Sequence, residues 1–484
     1  LNFAMKTSKF IRFLSILSKK EVRRFDKFLQ SDYHDTEPKT HELWAYILRL
    51  YPQLAANELA KTDASVALYG DVKHSTQITN RLAELSRVMQ DFLILEQLNS
   101  DDVGRSMLML EVLKGRDMSH LSLLQIVKAE RLLEGSPQRN MRYYYRKFRL
   151  VHERYFHAET STIKADSYEL LKHVMKHLDE FHALAKLQHI CEIRNRERVY
   201  NEDFGLIQRD LDFLLQQATD MNSPLSRIYI DLLDLIHTPD DRTYTKLKKQ
   251  VFKYIEVGSK REQESLLTFL INHQSMRLRN GQNDALEEVF DLMNFGLENY
   301  VFMEGQYWSV AHFINAINTA CQIGKTDWAS QFIAQNSNKL PDKMSTGISA
   351  RKKILYLCKG YVDLAKGEYQ AAVRHAYLAR PAGVAVNLRS WTLQVQALYE
   401  LRHEKIDSYE AIDSFANFLY NNKKQLGSNT IRANERFIRM MKKLLRADYT
   451  AKYNKNYFRE QLEWETNPIV CKLWLEKKIE ALKK

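Results

Sequence analysis

The sequence predicts an all-α protein, an array of αα-hairpins preceded by a small N-terminal helical region. Three observations carry this. Glycine (15) and proline (8) are scarce in 484 residues, together about 5% where average proteins hold roughly 12%, so turns are few and the segments between them long. Apolar residues recur every three or four positions within those segments, with no strong period-two alternation. Four prolines follow a capping residue, in Ser136-Pro137, Ser223-Pro224, Thr238-Pro239 and Asn467-Pro468, the arrangement suited to a first helical turn. The others, Pro38, Pro52, Pro341 and Pro381, fall between periodic segments, where they break no helix.

Residues 1–100 form the expected N-terminal region. Thr7 to Leu29 reads as two short helices, with Ser18 and Glu21 at capping-box spacing. A third helix runs through HELWAYILRLYP and ends before Pro52. A longer one begins near Ser75, its stripe of Ile78, Leu82, Leu85, Met89 and Phe92 ending near Leu95. A short helix before Gly70 followed by this longer one has the outline of a DNA-reading helix-turn-helix. The preferred reading is an ordinary hairpin with its stripe turned inward, because the motif lacks specific residues.

Residues 101–484 are expected to be one α-solenoid. Two periodic segments fill Asp101 to Gly135, and Ser136-Pro137 is expected to open a helix carrying Arg139, Arg142, Arg146 and Arg149 on one face. Tyr143, Tyr144, Tyr145 and Phe148 interleave with them. Arginine forks bind phosphate and aromatic rings stack on unpaired bases, so this face is a candidate partner or phosphate surface. On the other reading, Met141, Tyr144, Phe148, Val151 and Tyr155 are a buried stripe and the arginines are solvated or pair with acids.

From Asp166 onward, segments of about 12 to 20 residues follow one another, the length of helices in αα-hairpins. Boundaries fall at Phe204-Gly205, Asn280-Gly281, Gly305, Gly324, Gly367, Glu404 and Gly427, among others. In the clearest unit Tyr356, Gly360, Gly367, Tyr369, Ala372 and Ala379 are spaced as in a tetratricopeptide repeat, which this stretch resembles. Asp363 stands where an aromatic is usual, and Val384 where proline is. Forty-three residues upstream, Phe313, Gly324, Ala329 and Pro341 repeat part of the pattern, and a weaker hairpin spans Trp391 to Tyr420. The resemblance covers residues 307–421. It implies a right-handed superhelix whose concave face binds a protein or peptide. Stacking physics points the same way, since a hairpin with one apolar face is stabilised by neighbours and leaves an extended inner surface.

The net charge of +12 and pI near 9.2 favour an acidic partner. Between Lys423 and Arg459 eleven basic residues face only Glu435 and Asp448. Within them Arg432, Arg436, Arg439, Lys443 and Arg446 form a stripe opposite Ile431, Phe437, Ile438, Met441, Leu444 and Leu445. This second candidate surface suits phosphates without sequence reading, or an acidic protein; a solvated face on a terminal repeat is the alternative.

His173 and His177 lie one turn apart, with His182, His189 and Cys191 following, but Val174 occupies the place of a catalytic glutamate, so no metal site is assigned. Phosphate-loop, dinucleotide and nucleophile-elbow motifs are missing. Pairs such as Glu287-Glu288 and Asp240-Asp241 fit helix starts. The expectation is a non-enzymatic scaffold without cofactor or small-molecule substrate, with nucleic-acid association as the alternative. Cys191, Cys321, Cys358 and Cys471 are widely spaced, which suits a reducing compartment. No stretch of membrane-spanning length and no leader at LNFAMKTSKF is read, so the cytoplasm is the expected location.

Overall fold

The computed structural model describes residues 5, 8–52, 60–157, 164–200, 203, 205, 211–279, 281–342, 350–401, 405–447, 453–464 and 469–482. The fold is all-α. Among the described residues no helix is long and apolar enough to cross a membrane. Cα packing divides the chain into two compact units, residues 1–136 with 143–178, and residues 137–142 with 179–484.

The first unit opens with α1 (Lys9–Leu14), α2 (Lys19–Leu29), α3 (Pro38–Leu50), α4 (Lys61–Tyr69) and α5 (Ser75–Asn99). The Ser18–Glu21 capping box closes as expected, each partner satisfying the other's backbone N–H. Helix α3 starts at Pro38, earlier than expected, because proline at the first position has a preset φ and forfeits an N–H that has no intrahelical partner. Helix α5 is the centre of this unit: α1, α2, α3 and α4 all pack against it. Its stripe from Ile78 to Phe92 is buried as expected, but Leu95 is exposed. The ring of Phe25 packs edge-on against both Trp44 (5.1 Å) and Phe92 (5.5 Å). Between α4 and α5, Gly70 takes φ +83°. The Ser65 hydroxyl fixes this turn, donating to Asp71 O (2.7 Å) and accepting from His74 N (3.1 Å).

Next come α6 (Asp102–Lys114) and α7 (Ser119–Glu134), an antiparallel hairpin, then α8 (Met141–Tyr155) and α9 (Lys164–Tyr200). The expected helix start at Pro137 is corrected: α8 begins at Met141. Asn140, a favourable residue to precede a helix, is buried and its amide donates to Glu262 (3.4 Å), which holds residues 137–140 off the helix.

The second unit continues through α10 (Leu211–Asp220), α11 (Pro224–His237), α12 (Asp241–Ile255), α13 (Lys260–Arg279) and α14 (Ala285–Glu298). Ser223 caps α11 before Pro224 as expected. At α12 the cap is Asp240 instead of Thr238, its carboxylate accepting from Arg242 N and Thr243 N; a carboxylate there also suits the helix dipole. A hairpin of β1 (Met303–Glu304) and β2 (Tyr307–Trp308) turns at Gly305 (φ +64°), with strands too short to give a period-two signal.

Helices α15 (Val310–Gln322), α16 (Thr326–Asn336), α17 (Arg351–Lys366), α18 (Tyr369–Leu378), α19 (Val384–Leu401), α20 (Lys405–Asn421) and α21 (Ser428–Leu444) follow, then α22 (Lys455–Trp464) and α23 (Lys472–Glu480). From α13 to α21 the substantial packing joins neighbours one or two places apart along the chain. The expected boundaries at Phe204, Asn280 and Glu404 and the helix start at Asn467-Pro468 lie outside the described residues.

Candidate functional site

The α17–α18 hairpin is built by small residues. Gly367 ends α17 at φ +82°, a left-handed conformation that glycine adopts without steric cost. Gly324 plays the same part between α15 and α16 (φ +81°). A Cβ on Gly360 would stand 2.7 Å from Leu393 Cδ2 and 3.3 Å from His375 Cβ, so glycine lets α17, α18 and α19 meet. Ala372, Ala376 and Ala379 are fully buried on α18 and at its end. Asp363 binds the His375 ring nitrogen Nδ1 (2.5 Å), and that ring stacks on Tyr356 at 5.7 Å. The polar pair thus fills the seam between α17 and α18.

Of the first basic set, Arg139 precedes α8 and its Nη1 donates to Gln138 O (3.4 Å), while Arg142 is exposed on the first turn. Arg146 binds Asp101 with both terminal nitrogens, Nη1 at 2.9 Å. Arg149 pairs with Glu111 (3.0 Å), a hydrogen bond that raises its pKa above the ordinary value. Lys147 pairs with Glu134 (2.8 Å) and Arg154 with Glu130 (3.0 Å). Burial pushes the Glu130 carboxyl up, against the pull of Arg154. Tyr143 and Tyr144 are buried, their rings crossing edge-on at 5.1 Å. The cations at 146, 147, 149 and 154 therefore join α8 to acids of α6, the residue preceding it, and α7.

The second basic set lies on α21 and just beyond it. Phe437, Ile438, Met441, Leu444 and Leu445 are buried and Ile431 is half-buried, which fixes the helix's orientation. Arg432, Arg439 and Arg446 are exposed; Arg436 and Lys443 are half-buried. Lys443 lies 5.1 Å from the Tyr457 ring centre, 3.4 Å from Gln461 Oε1. Arg432 donates to Asn429 Oδ1 (2.8 Å). Spaced by seven residues, the exposed three recur every two turns, about 10 Å apart along the helix, and among the described residues none of them has a carboxylate partner. Their accessible charge can meet phosphates or a row of carboxylates. Asp448 and Lys452 lie outside the described residues.

His173 and His177 stand on α9 with ring centres 6.4 Å apart; among the described residues no three ligating side chains gather into a metal site. Cys191 is buried and its thiol donates to Tyr229 O (3.5 Å), and burial pushes its pKa up. One cluster was not foreseen. Trp308 stacks parallel to Tyr300 at 5.9 Å, with Lys339 Nζ 5.6 Å from the Tyr300 ring and 5.8 Å from the Trp308 ring. Its members are brought together by the β1–β2 turn, for which the sequence carries only Gly305 as a cue. The chain matches no protein-family model, no curated protein and no solved structure.

Proposed function

We propose that this chain is a non-enzymatic scaffold or adaptor, a tetratricopeptide-like superhelix whose concave surface binds a protein or peptide. The observation that most supports this is the alternate packing of α15 on α17 and α17 on α19, with α16 and α18 taking the second place in each hairpin. Such packing sets the first helices of successive hairpins side by side and builds a continuous surface. Exposed cations on two of these helices, Lys352 and Lys359 on α17 and Arg432 and Arg439 on α21, favour an acidic segment as the ligand. Recovery of bound proteins from a native lysate by the full chain, compared with a variant carrying glutamate at all four positions, tests the reading. It predicts partners retained by the wild type and lost from the variant; identical recovery by both contradicts it.

A second reading, nucleic-acid association through Arg432, Arg439 and Arg446, is favoured by their regular spacing and exposure. It predicts affinity for single-stranded DNA or RNA that falls steeply with salt and is reduced when the three arginines become glutamine. No binding at low salt removes it.

A further inference from the structure

The α6–α7 hairpin is apolar on two sides. On α6 the buried residues are Val103, Ser106, Leu110 and Leu113; on α7 they are Ser122, Ile126, Ala129 and Leu133. At 100° per residue, Leu108 and Val112 on α6 point away from that set and Met109 flanks it, while Leu121, Leu124 and Val127 on α7 point away from theirs. All six are exposed, Leu108 by 47% and Leu124 by 54%. The Gln125 side-chain amide donates to Ser106 O at 3.1 Å, which sets the hairpin register. Within a turn, Val112 is level with Leu121, Leu108 with Leu124, and Arg105 with Lys128. The outer face is thus apolar toward the 115–118 loop, where Arg116 of that loop reaches it, donating to Val112 O at 3.2 Å, and basic toward the open end, where Arg105, Lys128 and Arg131 are exposed. Among the described residues these three have no carboxylate partner, whereas Arg146, Lys147, Arg149 and Arg154 of α8 are all paired.

Size and charge select the occupant. The six side chains expose on the order of 450 Å², the scale of a functional patch on a monomer, and well short of the roughly 800 Å² per partner of a standard dimer interface. A second copy would set cation against cation in one orientation, and cations against leucines in the other. In a helix lying on a lipid surface the charges flank the apolar stripe; here they follow it along the axis. A two-helix face with leucines at one end and cations at the other fits a third helix.

We propose that the outer face of the α6–α7 hairpin docks an amphipathic helix of another protein, whose apolar side chains cover Leu108, Val112, Leu121 and Leu124 and whose acidic end meets Arg105, Lys128 and Arg131. This surface belongs to the first compact unit, and the proposal does not depend on the function proposed for α15–α21.

The test uses the full chain and three labelled synthetic 18-residue helices followed by fluorescence anisotropy. One has a leucine stripe ending in glutamates, one the same stripe ending in lysines, and one has the leucines replaced by serine. The glutamate peptide binds at least tenfold more tightly than either other. Leu124→Glu weakens it at least tenfold with an unchanged melting curve, and R105E/K128E/R131E reverses the preference toward lysine. Equal affinity for the two charged peptides, no binding at 1 mM, or indifference to Leu124→Glu overturns the proposal. So does a wild-type dimer that Leu124→Glu makes monomeric, which gives the face to a second copy. Binding to phosphatidylserine vesicles that Leu124→Glu abolishes, without any peptide preference, overturns it in favour of a membrane.

Discussion

Arg146 on α8 holds Asp101 with both terminal guanidinium nitrogens, and the two side chains are only 14% and 17% exposed. Asp101 also caps α6, its carboxylate accepting from Gly104 N at 3.0 Å. One carboxylate thus starts α6 and ties it to α8. Asp101→Ala leaves a largely buried guanidinium without its charge partner and removes the cap, a loss of about 3 kcal/mol or more. Thermal melting of D101A, R146M and the double variant checks this: the double variant melts above the level expected if the two losses simply added, because no lone charge remains.

Gly360 places a similar demand on volume. A methyl group there crowds the flexible end of Leu393 at 2.7 Å and the His375 Cβ at 3.3 Å, with the Ala372 carbonyl oxygen at an ordinary 3.6 Å, and it gains about 1 kcal/mol of helix propensity over glycine. Gly360→Ala is therefore close to neutral. Gly360→Val cannot fit without moving α19 and costs about 1–3 kcal/mol. Chemical denaturation of the two variants separates them, and an equal loss in both refutes the close helix meeting.

His273 and His312 link stability to pH. Burial depresses both rings to a pKa of about 4, with the Arg198 and Arg277 cations adding to the effect at His273. The unfolded chain binds protons on these rings near the ordinary value of 6.5 while the folded chain does not. Their contribution is complete above pH 6.5 and is lost as pH falls toward 4, by up to about 1.4 kcal/mol per pH unit for each ring. Melting temperature against pH should be flatter in this window for H273Q/H312Q than for the wild type. An unchanged slope contradicts the assignment.

The thiols give a fourth test. Cys191, Cys321 and Cys358 are buried, and burial pushes Cys321 and Cys471 up to about 12. An Ellman reaction at pH 8 should find little thiolate in the native protein and all four cysteines in denaturant. Rapid reaction of two or more thiols without denaturant rules out this packing.

The helices were legible because their signals are local. Ser18 with Glu21, Ser223 before Pro224, and the stripe from Ile78 to Phe92 act within one or two turns. Gly324 and Gly367 were legible for the same reason, as only a positive φ was needed. The start of α8 was not, because Asn140 is held by Glu262, 122 residues away. Spacing placed Arg146 and Arg149 on one face; their partners Asp101 and Glu111 became visible only once α6 lay beside α8. The outer face of α6–α7 escaped for a different reason. Helical periodicity identifies an apolar stripe but does not say that Leu108 and Leu124 lie outside the stripe already buried.

The central claim, that the first helices of the hairpin array form the binding surface, is tested most directly by hydrogen exchange on the full chain with and without a partner recovered from native lysate. The account predicts slowed exchange in α15, α17, α19 and α21. Protection confined to residues 8–99, with these four helices unchanged, would contradict it.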